Sequence, residues 1–251
     1  MIRQARFSKS IIFFEKGFLE RWHIDRYNNI NLPALFLGVY RMEDVVAINK
    51  HKGLKIVWHP GGVKDLFMRL DHSNMIVAVG KGVDFVIPER YNMRRIDIPI
   101  KDFIQLKDFS MYKPVPLGKK IYAYLGKDKN ATKKKLGYDL IREIDKIVPF
   151  VIIEGYQGHT AKFIIHEYYK NSFINIKPSL TGGLTTAIEM AYMGRKTISN
   201  AIGPFCYGYE NIDDIVSLIM KESKRIGQMP KALVNDDFFL GDEWKKVKYW
   251  I

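Results

Sequence analysis

Hydrophobic residues in this chain gather in short runs, and stretches with helical spacing of apolar positions lie between the runs. In the first half this pattern predicts strands at 34–40, 54–59, 75–79 and 84–88, and helices at 42–50 and 63–70. In the second half it predicts strands at 120–126, 150–153, 173–178 and 196–200, and helices at 138–147, 160–169 and 212–226. Strands that alternate with helices in this way are typical of a parallel α/β fold.

A stiff connector separates the two halves of this pattern. Residues 111–118 contain two prolines and a glycine, a composition that favours an extended linker. A new series of strands and helices begins directly after it. The chain has 251 residues, which is long enough for two domains of about a hundred residues or more each. We therefore predict domains at 1–115 and 116–251.

The most informative segment runs from Thr181 to Glu189, between two predicted strands of the second half. Its glycines and threonines open a predicted helix. The first amides of a helix have no intrahelical partner and lie at the positive end of its dipole, so they attract phosphate. Glycines allow a ligand to approach the backbone, and threonine hydroxyls add donors. The segment therefore predicts a phosphate-binding turn, followed by an acid that can accept hydrogen bonds from a sugar diol.

This segment resembles the donor-binding motif of glycosyltransferases with the GT-B fold. The resemblance is close over residues 173–200 and loose over the rest of the second half, and the residues that carry it are Gly182, Gly183, Thr186, Glu189 and Gly194. It implies an α/β fold of two Rossmann-like domains that face each other across a cleft. It also implies an enzyme that transfers a sugar from a nucleotide-sugar, a UDP- or GDP-sugar, to an acceptor hydroxyl, with no bound cofactor and no metal.

The resemblance assigns a role to each part of the donor site. Glu189 would bind the ribose hydroxyls. The donor diphosphate would be held by backbone amides of the turn and by its threonine hydroxyls; the residues of the turn are Gly182, Gly183, Leu184, Thr185 and Thr186. Lys127 and Lys135 match basic residues that clamp the donor phosphates, since cations stabilise the charge of a departing nucleoside diphosphate. Lysine runs such as 133–135 are also common on solvated faces.

The resemblance extends to two further segments of the second half. The loop that contains Gly158 and His159 would lie beside the nucleobase, where His159 or Tyr156 could stack on the ring. The tail at 241–251, rich in aromatic residues and lysine, would return to the first domain.

One position departs from the GT-B pattern. Thr181 stands where many retaining members have a second glutamate and several inverting members have a basic residue, so the stereochemical outcome stays open. The alternative interpretation of the whole segment is an ordinary βαβ crossover, whose glycines serve only close packing.

His59 and Asp65 are the candidate catalytic residues of the first half. His59 closes a predicted strand and precedes Pro60-Gly61-Gly62, and ligands of open α/β sheets bind outside the carboxyl ends of strands. His59 is thus a candidate base for the acceptor hydroxyl, with Asp65 as the nearby alternative, although a lone histidine is more often structural. His23 and Asp25 form a weaker second pair.

Composition narrows the class of protein. Forty lysines and arginines against 27 acids give a formal net charge of +13, which attracts nucleic acid, anionic membrane or phosphorylated substrates. A lysine-rich composition set by an AT-rich genome is the alternative source of this charge. Cys206 is the single cysteine, so we predict a reducing, cytoplasmic location.

Several motifs and segments are missing from the sequence. No apolar run approaches the roughly 18 residues of a membrane span. The sequence holds neither CxxC nor HExxH, so we predict no metal site. It also lacks the Walker motif and the GxGxxG fingerprint, which argues against a P-loop NTPase and a dehydrogenase.

The acceptor and two rival functions remain open at this point. The acceptor of a basic, compact glycosyltransferase would be a hydroxymethylated base in DNA, or a glycan on a protein or lipid. A non-enzymatic nucleic-acid-binding protein is the first rival, based on the charge and on the lysines and aromatics of 244–250. A sugar-nucleotide epimerase of the same two-domain shape is the second.

Overall fold

A computed structural model describes residues 2–59, 64–71, 73–79, 94–95, 106–126, 136–156, 158–178, 185–200 and 203–235. The chain divides into two compact units, and the boundary falls between Asp108 and Phe109, earlier than the predicted boundary at 115/116. Each unit contains one sheet, and every described strand pair is parallel. The predicted α/β fold class is confirmed, and each unit is described here by itself.

The described part of the first sheet contains six strands: β1 (Gln4–Phe7), β2 (Asp25–Arg26), β3 (Ala34–Leu37), β4 (Lys55–His59), β5 (Met75–Val79) and β6 (Arg94–Arg95). Their order across the sheet is β2-β1-β3-β4-β5-β6. The described helices of this unit are the 3-10 helix Lys9–Phe14 and the α-helices Glu15–Trp22, Met42–Lys50 and Lys64–Phe67.

Apolar side chains cover both faces of the first sheet. All four residues of β3 are buried. Leu35 and Leu37 pack in one hydrophobic cluster with Trp58, whereas Ala34 and Phe36 pack in a second cluster. Because successive side chains of a strand point to opposite faces, the sheet is buried on both sides, as parallel sheets usually are.

The described part of the second sheet contains five strands: β7 (Lys120–Gly126), β8 (Ile152–Tyr156), β9 (Ser172–Ile176), β10 (Lys196–Ile198) and β11 (Cys206–Tyr207). Their order is β11-β10-β9-β7-β8. The described helices are Tyr138–Asp145, Ala161–Phe163, Thr185–Tyr192 and Ile212–Ser223, and Ile164–Tyr169 continues the second of them as a π-helix.

The two faces of the second sheet differ in polarity. One face is apolar: Ile121 and Ala123 pack with residues from the helices Tyr138–Asp145 and Ile212–Ser223. The opposite face carries Tyr122 and Asn175, which are register partners on β7 and β9 and are both fully buried. We call this second face the polar face.

The sequence pattern predicted most of these elements. The helix at 42–50 and the strands at 75–79 and 120–126 match the observed bounds. The predicted helix at 160–169 is a short α-helix followed by a π-helix. The strand predicted at 84–88 and the tail at 241–251 lie outside the described residues. Over the described residues, none of the helices is long and apolar enough to cross a membrane.

Candidate functional site

The strand order identifies one crevice in each sheet. We number the strands of each unit in chain order. In both sheets the second strand then lies beside the first, followed by the third, fourth and fifth. In such a doubly wound sheet the chain leaves the first and third strands in opposite directions. The carboxyl ends of these two neighbouring strands form the topological switch point, where ligands of open α/β sheets bind.

The switch point of the second unit lies between β7 and β9. The helix that follows β7, Tyr138–Asp145, packs on the apolar face. The helix that follows β9, Thr185–Tyr192, lies on the polar face, where Glu189 contacts Tyr169. Gly126 ends β7 with a φ of 74°, a left-handed conformation that glycine adopts without strain.

Several predicted donor-binding residues lie outside the described residues. They are Lys127, Lys135, Gly182, Gly183 and Leu184. Lys127 directly follows the last residue of β7, and the glycine turn directly precedes the helix Thr185–Tyr192. Their proposed contacts with a diphosphate stay predictions.

Glu189 lies inside the second unit with both carboxylate oxygens bonded. Its side chain is only 5% exposed. The Tyr112 hydroxyl donates to Oε1 at 3.1 Å, and the Tyr169 hydroxyl donates to Oε2. A buried carboxylate is strongly destabilising without such partners. The two tyrosines thus allow an acid to sit on the polar face.

Tyr169 is a fixed donor in this arrangement. Complete burial, with the neighbouring hydroxyls of Tyr122 and Tyr112, raises the pKa of Tyr169 well above its ordinary value. The hydroxyl therefore keeps its proton at any physiological pH. The nearby side chain of Thr186 lowers this pKa in part, and Thr185 and Thr186 are both half-buried.

The polar face continues toward β10 and β11. Asn175 donates from Nδ2 to Thr197 Oγ1 at 3.1 Å, while its Oδ1 is buried with no hydrogen-bond partner among the described residues. Lys177, two residues after Asn175, lies just beyond the carboxyl end of β9. Burial lowers the pKa of Lys177, and the nearby Cys206 thiol offsets part of this effect. Lys177 is thus a buried lysine at the end of β9, near Cys206 of β11.

The loop after β8 presents an aromatic platform. Gly158 has a φ of 107° with open space around it. His159 is exposed and stacks on Phe163 at 4.5 Å between ring centroids, and the ring of Tyr168 lies nearly perpendicular to His159, with centroids 5.8 Å apart. The side chain of Tyr156 lies outside the described part of the structure. The platform stands at the end of the strand next to β7.

The first unit has its switch point between β1 and β3. Asp44, in the first turn of the helix Met42–Lys50, is buried there. Its Oδ2 accepts from the Ser8 hydroxyl at 2.7 Å and from the amides of Tyr40 and Arg41 at 3.0 and 2.9 Å. An acid from the chain itself thus occupies the helix N-terminus, where an anionic ligand would otherwise bind.

The candidate catalytic residues of the first unit lie elsewhere on its sheet. His59 ends β4, which neighbours β3 on the side away from β1, and its side chain is outside the described part. Asp65 is exposed in the short helix Lys64–Phe67. His23 ends a helix with a φ of 51°, and Asp25 is exposed on β2.

Sequence reasoning missed the residues that surround Glu189. Tyr112 lies 77 residues before it. It belongs to the connector, whose prolines predict an extended linker but indicate no contact with Glu189. Tyr169 closes a predicted helix and reads there as an ordinary core aromatic. Asp44 is an acid in the first turn of the helix Met42–Lys50, but its position at a switch point depends on the strand order.

Comparisons with known proteins provide little further information. No protein-family model matches the chain, and no curated protein matches it significantly. Among solved structures, the chain is similar to the Glycosylation Associate Protein (Gap123) complex from Streptococcus agalactiae, with 10% identity and a TM-score of 0.45. The match covers 97% of this chain and 59% of that chain. At this TM-score the likeness supports no conclusion about function.

Proposed function

We propose that the protein is a glycosyltransferase whose second unit binds a nucleotide-sugar donor. The observation that carries the proposal is the position of the second switch point, between β7 and β9. The segments that follow these two strands are the ones in which the sequence predicts phosphate-binding groups, at Lys127 and at residues 182–186. Two independent arguments, strand order and local sequence, therefore point to the same crevice.

Each part of the donor has a proposed partner. The turn at 182–186 holds the diphosphate through its amides, and Lys127 and Lys135 balance the charge of the leaving group. Glu189 binds the ribose hydroxyls. The platform of His159 and Phe163 offers a stacking surface for the nucleobase, since its rings are accessible at the carboxyl end of β8.

The proposed reaction exchanges one carbon–oxygen bond for another. The bond between the anomeric carbon and the diphosphate breaks, and the acceptor oxygen forms the new bond to that carbon. The acceptor proton passes to a base, for which the sequence offers His59 and Asp65 as candidates. The net charge of +13 favours a polyanionic acceptor such as DNA with hydroxymethylated bases, and a glycan is the other acceptor class.

A thermal-shift panel of nucleoside diphosphates and nucleotide-sugars tests the proposal. Selective binding to the folded state stabilises it, by about 2.7 kcal/mol when ligand is at a hundred times its Kd. We expect the melting temperature to rise with a UDP or GDP compound, and the shift to disappear in Glu189→Gln. Glu143→Gln is the matched control, because Glu143 is an exposed acid of the same unit.

The same experiment separates the rival functions. The net charge favours one of them, a non-enzymatic nucleic-acid-binding protein. No shift with any nucleotide, together with salt-dependent DNA binding that Glu189→Gln leaves unchanged, would replace the transferase proposal with this rival. Conversion of the donor to another sugar-nucleotide in the absence of any acceptor would instead indicate an epimerase.

A further inference from the structure

The burial of Glu189 poses a problem for a carboxylate that binds ribose. A ligand diol needs at least one carboxylate oxygen as acceptor. In this structure a tyrosine hydroxyl is bonded to each of the two oxygens. Each oxygen could accept one more bond, but Glu189 is only 5% exposed. A ribose can therefore reach the carboxylate only when one of the side chains that cover it moves aside.

The two tyrosines are not equally held. Both are buried, with exposures of 1% for Tyr169 and 2% for Tyr112, but the ring of Tyr169 packs edge-on against Tyr122 at 5.1 Å. Tyr112 belongs to the connector and reaches Glu189 Oε1 at 3.1 Å. This distance is longer than the 2.5–2.7 Å or so that is typical of a hydroxyl donating to a carboxylate. The bond from Tyr112 is thus the weaker of the two.

We propose that Tyr112 is the exchangeable partner of Glu189. Its hydroxyl occupies the place of a ribose hydroxyl at Oε1, and the diol of an incoming nucleotide displaces it. Tyr169 keeps its bond to Oε2 and orients the carboxylate. This inference rests on the proposed function, because it concerns the same donor site.

The surrounding contacts confine the exchange to a short stretch of chain. On one side of Tyr112, Phe109 stacks face to face on Tyr192, with ring centroids 4.4 Å apart and planes 5° apart. On the other side, Arg195 donates to the carbonyls of Val115 and Pro116 at 3.4 and 3.1 Å. The connector is therefore anchored at both ends, and residues 110–114 are the part that moves.

The exchange has a cost for binding. When an internal group occupies the ligand's place, only the molecules in which that place is free can bind. The apparent affinity is the intrinsic affinity multiplied by the fraction of such molecules. Removal of the Tyr112 hydroxyl should therefore strengthen the binding of a ligand that carries the diol. A residue with a purely structural role in the site would weaken binding when altered.

Calorimetric titration of two matched variants tests the inference. The probes are UDP, GDP and their 2′,3′-dideoxy counterparts, and the proteins are wild type, Tyr112→Phe and Tyr169→Phe. We expect Tyr112→Phe to bind the ribose form about tenfold more tightly, as one hydrogen bond to a charged group would allow. Its affinity for the dideoxy form should not change. We expect Tyr169→Phe to bind the ribose form more weakly.

The possible failures are distinguishable. If Tyr112→Phe binds the ribose form no more tightly than wild type, or gains equally for the dideoxy form, the inference is overturned while the donor site stands. If no protein binds UDP or GDP, the proposed function fails with it. Hydrogen exchange on the wild type is the second measurement: bound nucleotide should speed exchange of the amides at 110–113. Unchanged or slower exchange there contradicts the inference without any variant.

Discussion

Several polar side chains are buried on the polar face of the second sheet, although a stable parallel sheet does not need polar residues there. Glu189, Tyr169 and Asn175 are all buried there. Each loses its hydration on folding, which is unfavourable unless hydrogen bonds replace the water. Well-packed apolar residues would often be as stable or more so. The proposed donor site accounts for these groups, since a sugar-nucleotide needs donors and acceptors.

The contact between Gly155 and Tyr122 provides a test at this scale. A Cβ at Gly155 would overlap the Tyr122 hydroxyl, so Gly155→Ala must displace a fully buried ring. We expect the free energy of unfolding to fall by about 1–3 kcal/mol, the usual range for overpacking. Urea denaturation followed by circular dichroism measures it.

Gly208→Ala is the matched control for this substitution. The nearest atom to a Cβ at Gly208 is Asn200 Oδ1 at 3.6 Å, an ordinary contact. Equal effects of the two substitutions would show that the Tyr122 ring has free space and that the packing described here is wrong.

The position of Glu189 inside a helix was predictable from the sequence, whereas its surroundings were not. An acid inside a helix that follows a glycine turn is a local signal, readable within one segment. The bonds from Tyr112 and Tyr169 depend on how the connector and the π-helix pack against that helix. Contacts across 77 and 20 residues leave no trace in local spacing.

At the level of elements, strands with a clear apolar run were predicted, whereas β1, β2, β6 and β11 were missed. β9 is buried at all five positions, and its three apolar residues, Phe173, Ile174 and Ile176, made it recognisable in the sequence. β1 instead contains Gln4 and Arg6, and Gln4 is buried because its side chain accepts from the amides of Asn28 and Asn29. A strand whose buried positions are polar shows no hydrophobic pattern. β2 and β11 have two residues each, too few for any periodicity.

Arg195 connects three elements of the second unit. Its guanidinium is fully buried and donates to the carbonyls of Ser172, Val115, Pro116 and Met193. It thereby fastens the connector to the start of β9 and to the end of the helix Thr185–Tyr192. Burial lowers the pKa of Arg195 to about 10, so the group keeps its charge at neutral pH.

Replacement of Arg195 tests this connection. We expect Arg195→Met to lower the free energy of unfolding by about 3 kcal/mol or more, because several buried carbonyls lose their donors together. Arg142→Met is the control, since Arg142 is 45% exposed and pairs with Asp145 and Glu154, and such surface pairs contribute about 0–1 kcal/mol. Chemical denaturation compares the two. A loss at position 195 as small as at position 142 would contradict the connecting role.

At the level of the whole molecule, two units with the same initial strand order differ at their switch points. In the first unit, the carboxylate of Asp44 already occupies the helix N-terminus. In the second, the first turn of the helix Thr185–Tyr192 holds no acid. This difference supports the proposal that the anionic ligand binds to the second unit. The two-domain α/β class followed from the alternating pattern, but the strand order is a tertiary property that local sequence does not encode.

Hydrogen exchange with the best nucleotide of the panel tests the central claim most directly. If the donor binds at the second switch point, amides at residues 126–136 and 177–187 should become protected, while the segments around Ser8 and Tyr40 in the first unit stay unchanged. Protection confined to the first unit, or absent from both segments after β7 and β9 at saturating nucleotide, would contradict the account.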